Sequence, residues 1–378
     1  MTRRNTTTGR RAFLACSAAV GTAGLAGCNG LIGGSDEDDG RDDDTVLGQI
    51  GSGREGRPEP GGTPMSELPE LEGELTIYSG RNEFLVGQLL DDLQTIYDDF
   101  SVEPNYGSSS DLVNTILTEG SGTPADVFFT VDAGALGTLA NEGRTQSLSS
   151  DTLDLVENDT FYTENWVGTS GRARTIPFNT DAYSEDEMPD SIGAYATDFD
   201  GALGWAPSYG SCQGFITAMR ILEGDEYTRE WLENLLDAGV ESYGNELAVT
   251  EAVADGEIDA GFTNHYYIQR VLEGSPDTPL ETHFTDGDAG ATIDTAGAAV
   301  IDEANDPELA ENFVKHLLSA EAQEYFAVET FEYPVIEGVE PVGGLPPIDE
   351  LDVPDVDPSQ LADVEETVDL MREVGVDI

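Results

Sequence analysis

Basic residues are scarce in this chain: 16 against 76 acidic ones, for a net charge of −60, and Lys315 is its sole lysine. Nucleic acid is thereby excluded as a partner, because gripping phosphates takes a basic face that this composition cannot supply. Cysteine is sparse as well. Cys16 and Cys28 fall near the start, so Cys212 stands alone in the remainder and no internal disulfide framework can form. Histidine is limited to His265, His283 and His316, with no zinc-type spacing among them and none near Cys212 in sequence. His316 shares helical spacing with Phe313 and Leu317 and reads as structural. Phosphate loops of the Gly-x-Gly-x-x-Gly and Walker kinds are missing. With no nucleophile-and-base pair in view, the composition argues against an enzyme.

The acidity does not make a disordered chain. At 38% hydrophobic residues, with 14 Phe, 13 Tyr and 3 Trp, the sequence can build a large core. So much like charge strains a compact state at ordinary ionic strength, whereas at molar salt the Debye length falls to roughly 3 Å and screens it. The surface reads as a haloadaptation that says little about ligand.

The start of the chain carries an address. Arg10-Arg11 precede Ala12-Phe13-Leu14, and a small-residue apolar run from Ala15 to Ala26 leads into Leu25-Ala26-Gly27-Cys28. The run is too short and too glycine-rich for a membrane span and matches an export signal. The twin arginine implies export in the folded state, and the ending resembles a lipobox with Cys28 as the lipidated residue. The expectation is an extracytoplasmic protein anchored to the outer face of the cell membrane. An N-terminal core helix is the plainer alternative, but the run has no amphipathic period.

Residues 29–73 are rich in Gly, Asp, Glu and Pro and predict a self-repelling tether. Beyond it strands and helices alternate. Leu75-Thr76-Ile77-Tyr78 reads as a strand, Phe84–Tyr97 as a helix, Ser101–Tyr106 as a strand, Ser110–Glu119 as a helix and Ala125–Phe129 as a buried strand. Further on, strands are expected at Ala173–Phe178, Ala202–Ala206 and Ala296–Ile301. Helices are expected at Ala133–Glu142, Gly214–Leu222, Tyr227–Ala238, Pro307–Leu318 and Ala320–Val328. Such alternation predicts an α/β fold of mostly parallel sheets flanked by helices.

The conspicuous segment is Phe262-Thr263-Asn264-His265-Tyr266-Tyr267. A strand ending near Phe262, an Asn264 N-cap and apolar residues at Ile268, Val271 and Leu272 place both tyrosines in a first helical turn. Neighbours there lie about 100° apart, so both phenol oxygens can meet at one point. Phenolate is a hard donor suited to Fe(III). The same spacing equally suits an aromatic pair packing a helix onto a sheet. The loop Pro207-Ser208-Tyr209-Gly210-Ser211 runs into a helix whose free N–H groups suit an anion, although most such loops are simple caps.

Several motifs occur in an order that resembles the ferric-iron-binding proteins of ABC importers, in a haloarchaeal-like, Tyr-Ser-Gly-Arg branch. They are Tyr78-Ser79-Gly80-Arg81, Ala125-Asp126-Val127-Phe128-Phe129, Trp166-Val167-Gly168 with Ser170-Gly171-Arg172-Ala173-Arg174, Gly256-Glu257-Ile258-Asp259-Ala260, Tyr266-Tyr267 and Glu332-Tyr333-Pro334. The resemblance covers Leu75 to Ile378. It implies a two-lobed periplasmic-binding-protein fold of type II, joined by hinge strands near Arg172–Thr175 and Thr295–Gly297. The lobes are expected over 74–171 plus 297–345 and over 172–296 plus 346–378. Fe(III) is the implied cargo, with phosphate or carbonate as synergistic anion, an ABC permease as partner and a monomeric state.

Residue by residue, the resemblance makes Tyr266 and Tyr267 metal ligands. It puts Tyr209, Gly210 and Ser211 on the anion loop, Asn245 and Asn264 on the anion, and Arg172 in the cleft. Asn82 stands where the best-known branch has a histidine, and Val131 where it has a glutamate, with Asp132 next as a third expected metal ligand. A further tyrosine of some relatives maps onto Cys212, with Tyr209 on the same loop. Two alternatives stay open: capture of an organic anion such as a phosphonate or thiamine-like solute without metal, and, more remotely, an anchored hydrolase.

Overall fold

The computed structural model describes residues 56–356, 360–361 and 364–378. Arg10, Arg11, Cys28 and residues 29–55 of the expected tether lie outside the described residues. The first half of the fold runs β1 (Gly73–Ser79), α1 (Glu83–Ile96), β2 (Phe100–Tyr106), α2 (Ser109–Glu119), β3 (Val127–Thr130), α3 (Ala133–Asn141) and the short α4 (Ser150–Leu153). β4 (Val167–Asn179) then leads to α5 (Ile192–Tyr195), β5 (Leu203–Trp205), α6 (Gly210–Glu223), α7 (Asp225–Asp237), β6 (Glu241–Ser242) and α8 (Glu246–Ala254). Next come β7 (Ala260–Gly261), β8 (Thr263–Asn264), α9 (His265–Gly274), β9 (Leu280–His283) and β10 (Ile293–Val300). α10 (Pro307–Leu317), α11 (Ala320–Tyr325) and α12 (Glu365–Glu373) complete it, with a π-turn at Phe326–Thr330.

The strands follow one path, β2-β1-β3-β10-β4-β7-β5-β6, with β8 and β9 also paired to β4. Both ends of the path are parallel: β1 with β2 and β3, and β5 with β6 and β7. The middle is antiparallel, because β10 lies against β3 and β4 while β4 lies against β7, β8 and β9. This is the expected α/β alternation, with corrections to individual elements: β10 begins at Ile293 rather than Ala296, and α6 at Gly210 rather than Gly214. The strand predicted at Ala173–Phe178 is the second half of a longer strand beginning at Val167, because Val167–Arg172 pairs with β10.

Apolar residues sort by strand alternation onto the two faces of each parallel part. In β1 and β3, Ile77, Val127 and Phe129 join one cluster with α1 and α10, while Tyr78 and Phe128 join another with α2 and α3. The second part has its own core around Phe178, Trp205, Phe215 and Phe262, backed by a cluster of Val249, Ile258 and Ile268. β4 passes between the two parts: Ala173 packs with the first core and Ile176 with the second. Ile348 and Leu351 still pack on the first core, although the expected boundary lay at 345/346; Leu370 and Met371 of α12 belong to the second.

Candidate functional site

The strand-to-helix junction at Phe262–Tyr267 builds the centre of the site. β8 ends at Asn264, which occupies the N-cap of α9 without a side-chain capping bond. Its backbone N–H donates to Glu246 Oε2 at 3.1 Å and its Nδ2 approaches the Tyr266 hydroxyl at 3.4 Å. His265 turns inward, fully buried, and its Nδ1 accepts the Ala173 N–H at 3.1 Å. Burial drives its pKa down to about 4, so it is neutral at pH 7 and fastens α9 to β4.

Tyr266 and Tyr267 then lie side by side, ring centres 4.3 Å apart and planes tilted by 46°. The Tyr209 hydroxyl reaches the Tyr267 hydroxyl at 2.8 Å from the loop before α6. Three phenols thus converge on one cavity of about 260 Å³, which Asn82, Phe84, Arg172, Arg270 and Glu332 also line. Burial raises the pKa of both paired tyrosines, and the nearby Arg172 guanidinium pulls that of Tyr266 partly back.

A second cavity of about 400 Å³ shares Val131 and Arg172 with the first and is lined by Ser109, Asp132, Arg174, Gly210, Ser211, Asn264 and Asp294. Arg172 stands at the junction, where it donates to the Val131 carbonyl and pairs with Asp294. Arg174 is held from below by Glu246, which is fully buried and also accepts from Ser211 Oγ. α6 opens at Gly210 with no side-chain cap, and Gly210, Ser211 and Gly214 from its N-terminal end line this compartment. Two guanidinia, a helix N-terminus and serine hydroxyls meet there beside the carboxylates of Asp132 and Asp294.

The structure separates residues that the sequence had grouped. Asp132 lines the second cavity rather than the tyrosine cavity, and its carboxylate caps α3 by accepting from Gly134 N at 2.8 Å and Ala135 N at 3.3 Å. Asn82 reaches the tyrosine cavity but caps α1 through Leu85 N. Asn245 lines neither compartment and caps α8 through Ala248 N. Cys212 is buried in the second core with its thiol pushed up to about 12 by burial, so Tyr209, not position 212, presents the third phenol. Among the described residues no group of three His, Cys, Asp or Glu side chains forms a metal cage.

Glu246, Arg270, Asp294 and Ser109 escaped the sequence reading. Glu246 follows an N-cap asparagine, where an acid ordinarily serves the helix dipole, and only tertiary contact turns it inward. Beneath the tyrosine cavity, buried Arg81 pairs with Glu332, which also accepts from Ser170 Oγ and Thr330 Oγ1, each at 2.9 Å. The π-turn ending at Phe331, with φ of 60°, sets Thr330 and Glu332 at the cavity floor. The Arg81 of the Tyr-Ser-Gly-Arg motif is therefore a support for the site.

Residues 88–348 match the family described as bacterial extracellular solute-binding protein. The major ferric iron-binding protein of Neisseria meningitidis is 29% identical over 310 residues, 80% of this chain and 93% of that protein. The iron uptake protein A2 of Synechocystis is 30% identical over 258 residues, 65% of this chain and 75% of that protein. Iron-bound HitA from Pseudomonas aeruginosa superposes with a TM-score of 0.70 at 29% identity, covering 80% of this chain and 99% of that one. A Trichodesmium protein solved in complex with iron and citrate ligands gives 0.70 at 27% identity, covering 81% and 100%. The fold is the two-lobed type II periplasmic-binding-protein fold. The chain belongs to the bacterial extracellular solute-binding protein family and is a binding protein, not an enzyme.

Proposed function

We propose that this protein is an exported lipoprotein that captures Fe(III) together with a synergistic anion and delivers it to an ABC permease of the cell membrane. The convergence of Tyr209, Tyr266 and Tyr267 on one cavity carries this reading. Three phenolates offset the charge of Fe(III), and hard oxygen donors suit that ion. The adjoining arginine-lined compartment takes the anion: phosphate, carbonate, or a carboxylate such as the citrate held by the Trichodesmium relative. Tyr209 supplies the third oxygen donor in place of Asp132, which caps α3 and lies near Arg172.

The two cores act as lobes hinged on β4 and β10, with Cys28 as lipid anchor and a monomer as the working state. The ferric iron-binding name of the relative at 29% identity and the iron-uptake name of the one at 30% support the cargo. Titration of Fe(III) into wild type, Tyr266→Phe and Tyr267→Phe, followed through the visible phenolate-to-iron band, tests the assignment. Wild type develops the band with Fe(III), and each variant weakens both band and affinity. An unchanged band and affinity in both variants removes the site, and a colourless wild type moves the metal-free organic-anion reading ahead.

A further inference from the structure

We infer that Phe84 and Arg270 form a clasp across the mouth of the tyrosine cavity that sets how long the cargo is retained; the inference rests on the Fe(III) reading above. Arg270 follows Tyr266 by one helical turn on α9, so the two share a face. Its guanidinium lies 5.6 Å from the Tyr266 ring centre and 5.6 Å from the Phe84 ring centre, held between the two aromatics. Every other arginine among the described residues is ion-paired to a carboxylate. Arg270 pairs with no described carboxylate, in a chain with 76 acidic residues. Its charge is directed instead at π faces and at the cavity it lines.

Phe84 is the other half of the observation. Its neighbours on α1, Val86, Leu89, Leu90 and Leu93, are buried in the first core, yet Phe84 is 81% exposed and belongs to none of the clusters. α9 is anchored by Ile268 in a cluster of the second part. The Phe84–Arg270 contact therefore ties a helix of one core to a helix of the other at the rim of the cavity. Opening the cleft must break it, and a cation–π contact at such a site slows opening by about fivefold. Closed, it also holds a cation beside the phenolates.

The test loads Fe(III) from its nitrilotriacetate complex and adds excess EDTA, following decay of the visible band in wild type, F84A, F84L, R270A and F84A/R270A. Release is expected about fivefold faster in each single variant, with the double variant no faster than the singles. F84L separates the ring face from simple apolar bulk. Wild-type release rates, or effects that multiply in the double variant, overturn the clasp. Small-angle scattering of the metal-free protein gives an independent reading. F84A and R270A are expected to enlarge the particle, and unchanged scattering overturns the clasp even where wild type takes up no iron, an outcome that separately sinks the iron reading.

Discussion

The buried phenols and the buried ion pair lead to opposite demands on protons. Burial keeps Tyr266 and Tyr267 protonated at neutral pH, so each that ligates iron must release a proton. Iron affinity is expected to fall as pH falls, by about tenfold per pH unit for each proton displaced. Calorimetry in buffers of different ionisation enthalpy counts those protons directly. Asp132 already caps α3, so Asp132→Asn should weaken iron far less than Tyr266→Phe or Tyr267→Phe; a larger loss at Asp132 overturns the phenolate assignment. For Glu332, burial alone would raise the pKa, but the guanidinia of Arg81 and Arg172 hold it below its ordinary value. Arg81→Met strands that carboxylate and is expected to cost about 3–5 kcal/mol in urea unfolding at pH 7. A lowered folded pKa contributes stability that is present above the unfolded value and lost as pH falls through the folded one. The gap between variant and wild type should therefore narrow in acid.

At the scale of elements, the sequence was most legible where one period dominates. α1, α2, α7 and α10 begin within two residues of their expected starts and end within one, because one apolar spacing runs through each, with a side-chain cap at the start of α1, α2 and α10. α8 and α12 were missed: α8 is short and buried on several sides, and α12 gains its apolar face only against α6 and α7. The tyrosine helix was legible because Asn264 and the 3.6 period mark its start, yet the cap is positional and Asn264 spends its side chain near Tyr266. Glu246 and Arg270 were illegible, since both look like ordinary helix charges until the fold turns them on partners. The β4–β10 pairing offers a local test. A side chain at Gly297 on β10 would start 2.5 Å from the Val167 carbonyl oxygen and 2.9 Å from Leu136 Cδ1. Gly297→Val should cost about 1–3 kcal/mol, whereas Gly122→Ala, with open space around it, stays within about 0.5 kcal/mol. Equal unfolding midpoints for the two variants contradict this close packing of β4 on β10.

For the whole molecule, the two-part α/β plan follows from alternation, but the single strand path through β10 and β4 does not, because pairings between residues more than a hundred apart leave no local pattern. Charge is the other property that belongs to the molecule as a whole. Among the described residues, Arg81 and Arg174 serve buried internal pairs, and Arg172 faces the site. They cannot also neutralise a surface that leaves the chain at −60. Like charges on that surface therefore repel across the fold, with a reach of about 10 Å at 0.1 M salt and about 3 Å at 1 M. The thermal midpoint is expected to rise steadily from 0.1 M to molar potassium chloride. Potassium sulfate at matched ionic strength checks that screening, rather than salting-out of apolar surface, carries the effect: screening predicts curves that coincide, whereas sulfate would otherwise stabilise more. A flat midpoint across that range would mean that the acidic surface is already relieved within the fold, and the haloadaptation reading would fall with it.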